Sequence, residues 1–138
     1  MDAVPLAGSA FRAYLRRRFR DYRLDLTLEM VQVLRYLWGR DGVSQQDIAR
    51  AANRDKATMT AMLDNLVRRG LVERRADSHD RRTNRVVLTP EGQALEQQVK
   101  PLIAEMYGVA GQGVAPDQLR TCLEVLAKIT QNLTPAEK

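Results

Sequence analysis

A mainly helical α+β fold, six helices interrupted once by a β-hairpin, is what this sequence predicts. Three observations carry that expectation. Apolar residues recur at helical spacing over most of the chain, and the period switches to two only between Leu71 and Leu88. Capping residues stand where the periodic segments start and stop: Thr27, Ser44, Gly70 and the pair Thr89-Pro90.

The elements follow in order. Leu6 to Tyr22 reads as a first helix, with Phe11, Tyr14, Leu15, Phe19 and Tyr22 on one side and arginines between them. Thr27 caps a second helix whose stripe is Met30, Val33, Leu34, Leu37 and Trp38, ending at the Gly39–Gly42 turn. Ser44, with Asp47 three residues on, caps a short third helix that turns Ile48, Ala49 and Ala52 inward. After the polar turn Asn53 to Asp55, a fourth helix runs from Lys56 to about Arg69, its stripe Met59, Met62, Leu63, Leu66 and Val67. Two short strands, 71–75 and 85–88, flank a polar loop from Ala76 to Asn84. A long fifth helix opens at Pro90, with Pro101 expected to bend it and Gly111 and Gly113 to end it. A last helix, 116 to 133, is expected to turn Leu119, Leu123, Leu126, Ile129 and Leu133 inward.

The centre of this order, residues 27–89, is a helix-turn-helix followed by a two-stranded hairpin: a winged helix-turn-helix. It is flanked by a helical region, 6–22 plus 90–134. The fourth helix can enter a DNA major groove, because its first turn offers small and hydroxyl side chains to base edges and its N-terminus favours phosphate. Lys56, Thr58 and Thr60 are the candidate contacts there, with Arg54 just before them. A wing tip with Asp80, Arg81 and Arg82 can reach the adjacent minor groove, where narrow A·T-rich stretches attract arginine. Asp80 reads equally as a brace for a neighbouring arginine and as a turn former.

The run Asp55-Lys56-Ala57-Thr58-Met59-Thr60, then Leu63-Asp64-Asn65-Leu66, resembles the recognition helix of the MarR family. Arg69-Gly70-Leu71-Val72-Glu73-Arg74 resembles its helix-to-strand junction, and Asp80-Arg81-Arg82 with Val86, Leu88, Thr89 and Gly92 its wing signature. The resemblance spans Leu26 to Gly92. It implies a two-fold homodimer joined through the terminal helices. It also implies binding to pseudo-palindromic double-stranded DNA, usually as a repressor, and release by a small phenolic or aromatic acid. One position departs from the pattern: the residue after Thr60, often arginine in the family, is Ala61. For an effector, Tyr14, Arg18, Trp38, Met30 and Met62 combine rings, thioethers and a cation suited to an aromatic acid. Read singly, each is also a plain core residue.

Composition narrows the alternatives. The net charge is +5, and residues 1–24 and 40–89 each carry a balance of +4 while residues 90–138 carry −2. Two basic blocks suit a polyanion-facing side. No apolar run reaches the roughly 20 residues of a membrane span, and no signal-peptide pattern opens the chain, so a cytoplasmic protein is expected. His79 has no ligand cluster around it and Cys122 is the single cysteine, so neither a metal site nor a cofactor is expected. Cys122 reads as buried beside Leu123. An enzyme would need a nucleophile–base pair, a metal cluster or a phosphate loop, and none is legible. The remaining rival is a winged-helix protein-interaction module that does not bind specific DNA.

Overall fold

The computed structural model describes residues 2–80 and 84–135, and the wing-tip segment 81–83 lies outside them. Its elements are α1 (Ala3–Asp21), α2 (Leu28–Gly39), β1 (Val43–Ser44), α3 (Gln45–Ala51), α4 (Lys56–Arg68), β2 (Val72–Ala76), β3 (Asn84–Leu88), α5 (Pro90–Ala110) and α6 (Pro116–Leu133). The chain forms two compact units, Met1–Ile103 and Ala104–Lys138, dividing within α5.

In the first unit the caps act where the sequence places them. The Thr27 side chain accepts from Met30 N–H at 3.1 Å, and Ser44 accepts from Asp47 N–H at 3.1 Å. Gly70 follows α4 at φ 71°, a left-handed conformation that glycine takes without penalty. Thr89 is buried before Pro90, where its hydroxyl donates to Gly70 O at 2.6 Å and accepts from Gly92 N–H at 3.0 Å. The core joins Met30, Val33, Leu34 and Leu37 of α2 to Ile48 of α3 and to Met59, Leu63 and Leu66 of α4. Val43, Val72, Val86 and Leu88 of the strands complete it. Val67, expected in that core, is 37% exposed, because it stands at the margin of the α4 stripe.

The wing is more than the expected two-stranded hairpin. β1 pairs antiparallel with β3, Val43 opposite Val86, so the sheet has three strands in the order β1-β3-β2. Two residues carry no period, and only the partner strand defines them. The Asp41 carboxylate fixes the join, accepting from Gly42 N–H and from Leu88 N–H at 2.9 Å each.

α5 continues through Pro101 to Ala110. In the second unit, Gly113 at φ 77° turns the chain and Pro116 opens α6. Here two expectations are corrected. None of the α6 residues is buried, and Leu123, Leu126, Ile129 and Leu133 are 42%, 37%, 42% and 77% exposed within the chain. Cys122 is likewise exposed, not buried. Helical spacing identifies an apolar stripe but not what covers it.

Candidate nucleic-acid interface

The interface is built around the start of α4. Asn53 takes a left-handed φ of 54°, which asparagine tolerates, and turns the chain sharply after α3. Arg54 N–H donates to Ala49 O at 2.9 Å and closes the turn. Asp55 is the N-cap: its carboxylate accepts from Thr58 N–H at 2.7 Å and from the Thr58 hydroxyl at 2.9 Å. The cap is therefore Asp55, and Thr58 supplies both donors to it. Arg54, Lys56, Ala57, Thr58 and Ala61 are exposed around this first turn, while Met59 beneath them is buried. A helix that begins with a seated core residue and an exposed cationic N-terminus is a rigid mount for the side chains of its first turn.

Thr60 lies on the flank of α4 toward α3. Its hydroxyl donates to Lys56 O at 2.8 Å and accepts from the Gln45 side-chain amide at 2.6 Å. Arg74 of β2 fixes the other end, pairing with Asp64 at 2.7 Å and reaching Thr60 O at 3.4 Å. At the wing base, Arg85 donates to Gly42 O at 2.7 Å and pairs with Asp77 at 3.3 Å, while Asp77 accepts from His79 N–H at 2.9 Å. Asp80 is exposed. Arg81 and Arg82 lie outside the described residues. The contacts of Gln45, Asp77, Arg74 and Arg85 were not legible in the sequence, since they are tertiary; the signal for Asp55, a polar residue just before a helical stripe, was present.

The residues considered for an effector are divided. Met30 is buried in the core, with Met62 and Trp38 packed against it, and the Trp38 ring N–H donates to Gly92 O at 3.0 Å. Tyr14 and Arg18 sit on α1 with partners of their own: Arg17 lies over the Tyr14 ring at 5.9 Å, and Arg18 pairs with Asp21 at 2.8 Å and lies over the Tyr22 ring at 5.5 Å.

Three carboxylates here titrate low. The Thr58 backbone N–H, then its hydroxyl, holds Asp55 below the ordinary range. The His79 N–H and Arg85 do the same for Asp77. Burial pushes Glu29 up, but its own backbone N–H and the Arg12 guanidinium at 3.0 Å outweigh this and leave it lowered. A depressed folded-state pKa contributes stability above the unfolded value that is lost as pH falls through the folded one. The melting temperature is therefore expected to fall between about pH 5 and pH 2, and less steeply in the Asp55→Asn, Asp77→Asn, Glu29→Gln triple variant. Equal slopes in the two proteins would contradict this assignment.

Helices α3 and α4 at a tight turn, a sheet wing and a helix on either side define a winged helix-turn-helix. Residues 26–83 match the model of the MarR family. Over 126 residues the chain is 29% identical to the HTH-type transcriptional regulator TtmR of Methylorubrum extorquens, covering 91% of this chain and 60% of the length of that relative. Among solved structures, the Staphylococcus aureus MepR–DNA complex superposes with a TM-score of 0.84 at 25% identity, covering 95% of this chain and 96% of that one. A MarR-family transcriptional regulator from Silicibacter pomeroyi gives a TM-score of 0.73 at 28% identity, covering 94% and 86%. Among the described residues, no group of three or more His, Cys, Asp or Glu side chains is arranged to hold a metal ion, and no helix is long and apolar enough to cross a membrane.

Proposed function

We propose that this protein is a dimeric, sequence-specific double-stranded DNA-binding transcriptional regulator acting as a repressor. One observation carries the reading: the capped, cationic start of α4 stands exposed on a buried core, braced by Gln45 and Arg74. The structural neighbour crystallised on DNA has the same fold over nearly the whole chain. Two such helices, related by a two-fold axis, would meet successive major grooves roughly 34–36 Å apart. The exposed apolar face of α6 suits the dimer contact. A dimer is the expected species at micromolar concentration in sedimentation velocity; a monomer there would remove the paired-groove geometry.

Affinity for DNA is expected to fall steeply with salt, with a log–log slope of several units, because Arg54, Lys56 and the wing arginines would displace counterions. A flat response favours the interaction-module reading. Arg82→Ala is expected to weaken binding by about 1–3 kcal/mol without unfolding the protein. Unchanged affinity at physiological salt would assign Arg82 to solvent. An effector of the aromatic-acid class is expected to raise the melting temperature and weaken DNA binding together, which requires tighter binding to the form not spaced for DNA. Arg18→Ala is expected to abolish both effects; a panel of aryl acids that produces neither would leave Trp38, Met30 and Met62 with packing roles alone.

A further inference from the structure

The hydroxyl groups of the recognition helix are already engaged within the protein. A threonine hydroxyl has one proton. That of Thr58 goes to the Asp55 carboxylate at 2.9 Å, and that of Thr60 goes to Lys56 O at 2.8 Å. Because the Thr60 proton is committed, Gln45 can meet that oxygen at 2.6 Å only through its amide N–H, which takes one of the two lone pairs. What Thr60 still offers is its Cγ2 methyl and a single lone pair. The residues beside it on the exposed side of α4, Ala57 and Ala61, are too short to reach base edges with a polar group or to hold the helix off the groove floor.

We propose that Thr60, held in this rotamer by Gln45, reads the C5-methyl group of a thymine in the major groove, making the base readout of α4 apolar. The inference rests on the DNA-binding reading above. Thymine is the base that presents a methyl group in that groove, and threonine and alanine methyls are its natural partners. Gln45 acts as a positioning residue: without its N–H, the Thr60 rotamer is held by the bond to Lys56 O alone, and its methyl is less firmly fixed in the contact.

The test begins with selection of binding sites from duplexes carrying a randomised central segment. Each thymine of the enriched site is then replaced singly by deoxyuridine, which removes only the methyl and leaves the protein untouched. One thymine in each half-site is expected to lose about fourfold in affinity, the loss of one buried methyl-sized contact. Thr60→Val, which keeps the methyl, retains that sensitivity. Thr60→Ser, which removes the methyl and keeps the hydroxyl, loses about fourfold on the thymine site and no longer distinguishes deoxyuridine. Gln45→Ala narrows the thymine-to-deoxyuridine ratio. Deoxyuridine tolerated at every position, or a Thr60→Ser protein that keeps its full sensitivity, overturns the proposal. Selection that enriches no sequence overturns instead the DNA-binding reading itself, and this inference with it.

Discussion

Replacing Gly92 by alanine is expected to destabilise the protein by about 3 kcal/mol, at the upper end of overpacking effects. A Cβ at this position would stand 2.0 Å from Leu71 O and 3.3 Å from the Leu88 side chain, and a backbone carbonyl cannot rotate aside as a side-chain tip can. The same residue takes the Trp38 ring N–H on its carbonyl and gives its own N–H to Thr89, so any shift disturbs two further bonds. Gly39, at the end of α2, has nothing within 4 Å of its own Cβ position. Gly39→Ala is therefore the control, with an expected change of less than about 1 kcal/mol. Urea unfolding of the two variants checks the contrast, and equal midpoints would refute the close approach at Gly92.

Leu63→Ala is expected to lose about 2–5 kcal/mol, the range for emptying a fully buried leucine site. Leu63 has 0% exposure and lies in the core beneath the exposed side of α4, so DNA affinity should fall along with stability. Val67→Ala, on the same helix but 37% exposed, should lose less than about 1 kcal/mol. If the two variants melt together, α4 is not seated as described.

Much of this architecture was legible before any coordinates, because its signals are local. Thr27, Ser44 and Gly70 each act through atoms two to four residues away, and the stripe from Met59 to Leu66 is a pattern within one helix. What the sequence hid is what depends on another element. β1 exists only because Val43 meets Val86. The α6 stripe was legible, but its burial was not, since Leu123 and Ile129 remain exposed within a single chain. Of the proposed contacts Lys56, Thr58 and Thr60, Lys56 and Thr58 stand exposed while Thr60 is half-buried. The sequence could not show that Asp55 would take both donors of Thr58, nor that Gln45, fifteen residues before Thr60, would donate to its hydroxyl oxygen. Under the proposed function, those contacts decide which atoms α4 would offer to DNA.

The central claim is that α4 and the wing recognise a DNA sequence. It is tested most directly by comparing the dissociation constant for a duplex selected by the protein with that for a scrambled duplex of equal length at physiological salt. The selected site is expected to bind at least about 10³-fold more tightly and to contain two half-sites related by a dyad, centred about 10 base pairs apart. Equal affinity for the two duplexes would contradict the account.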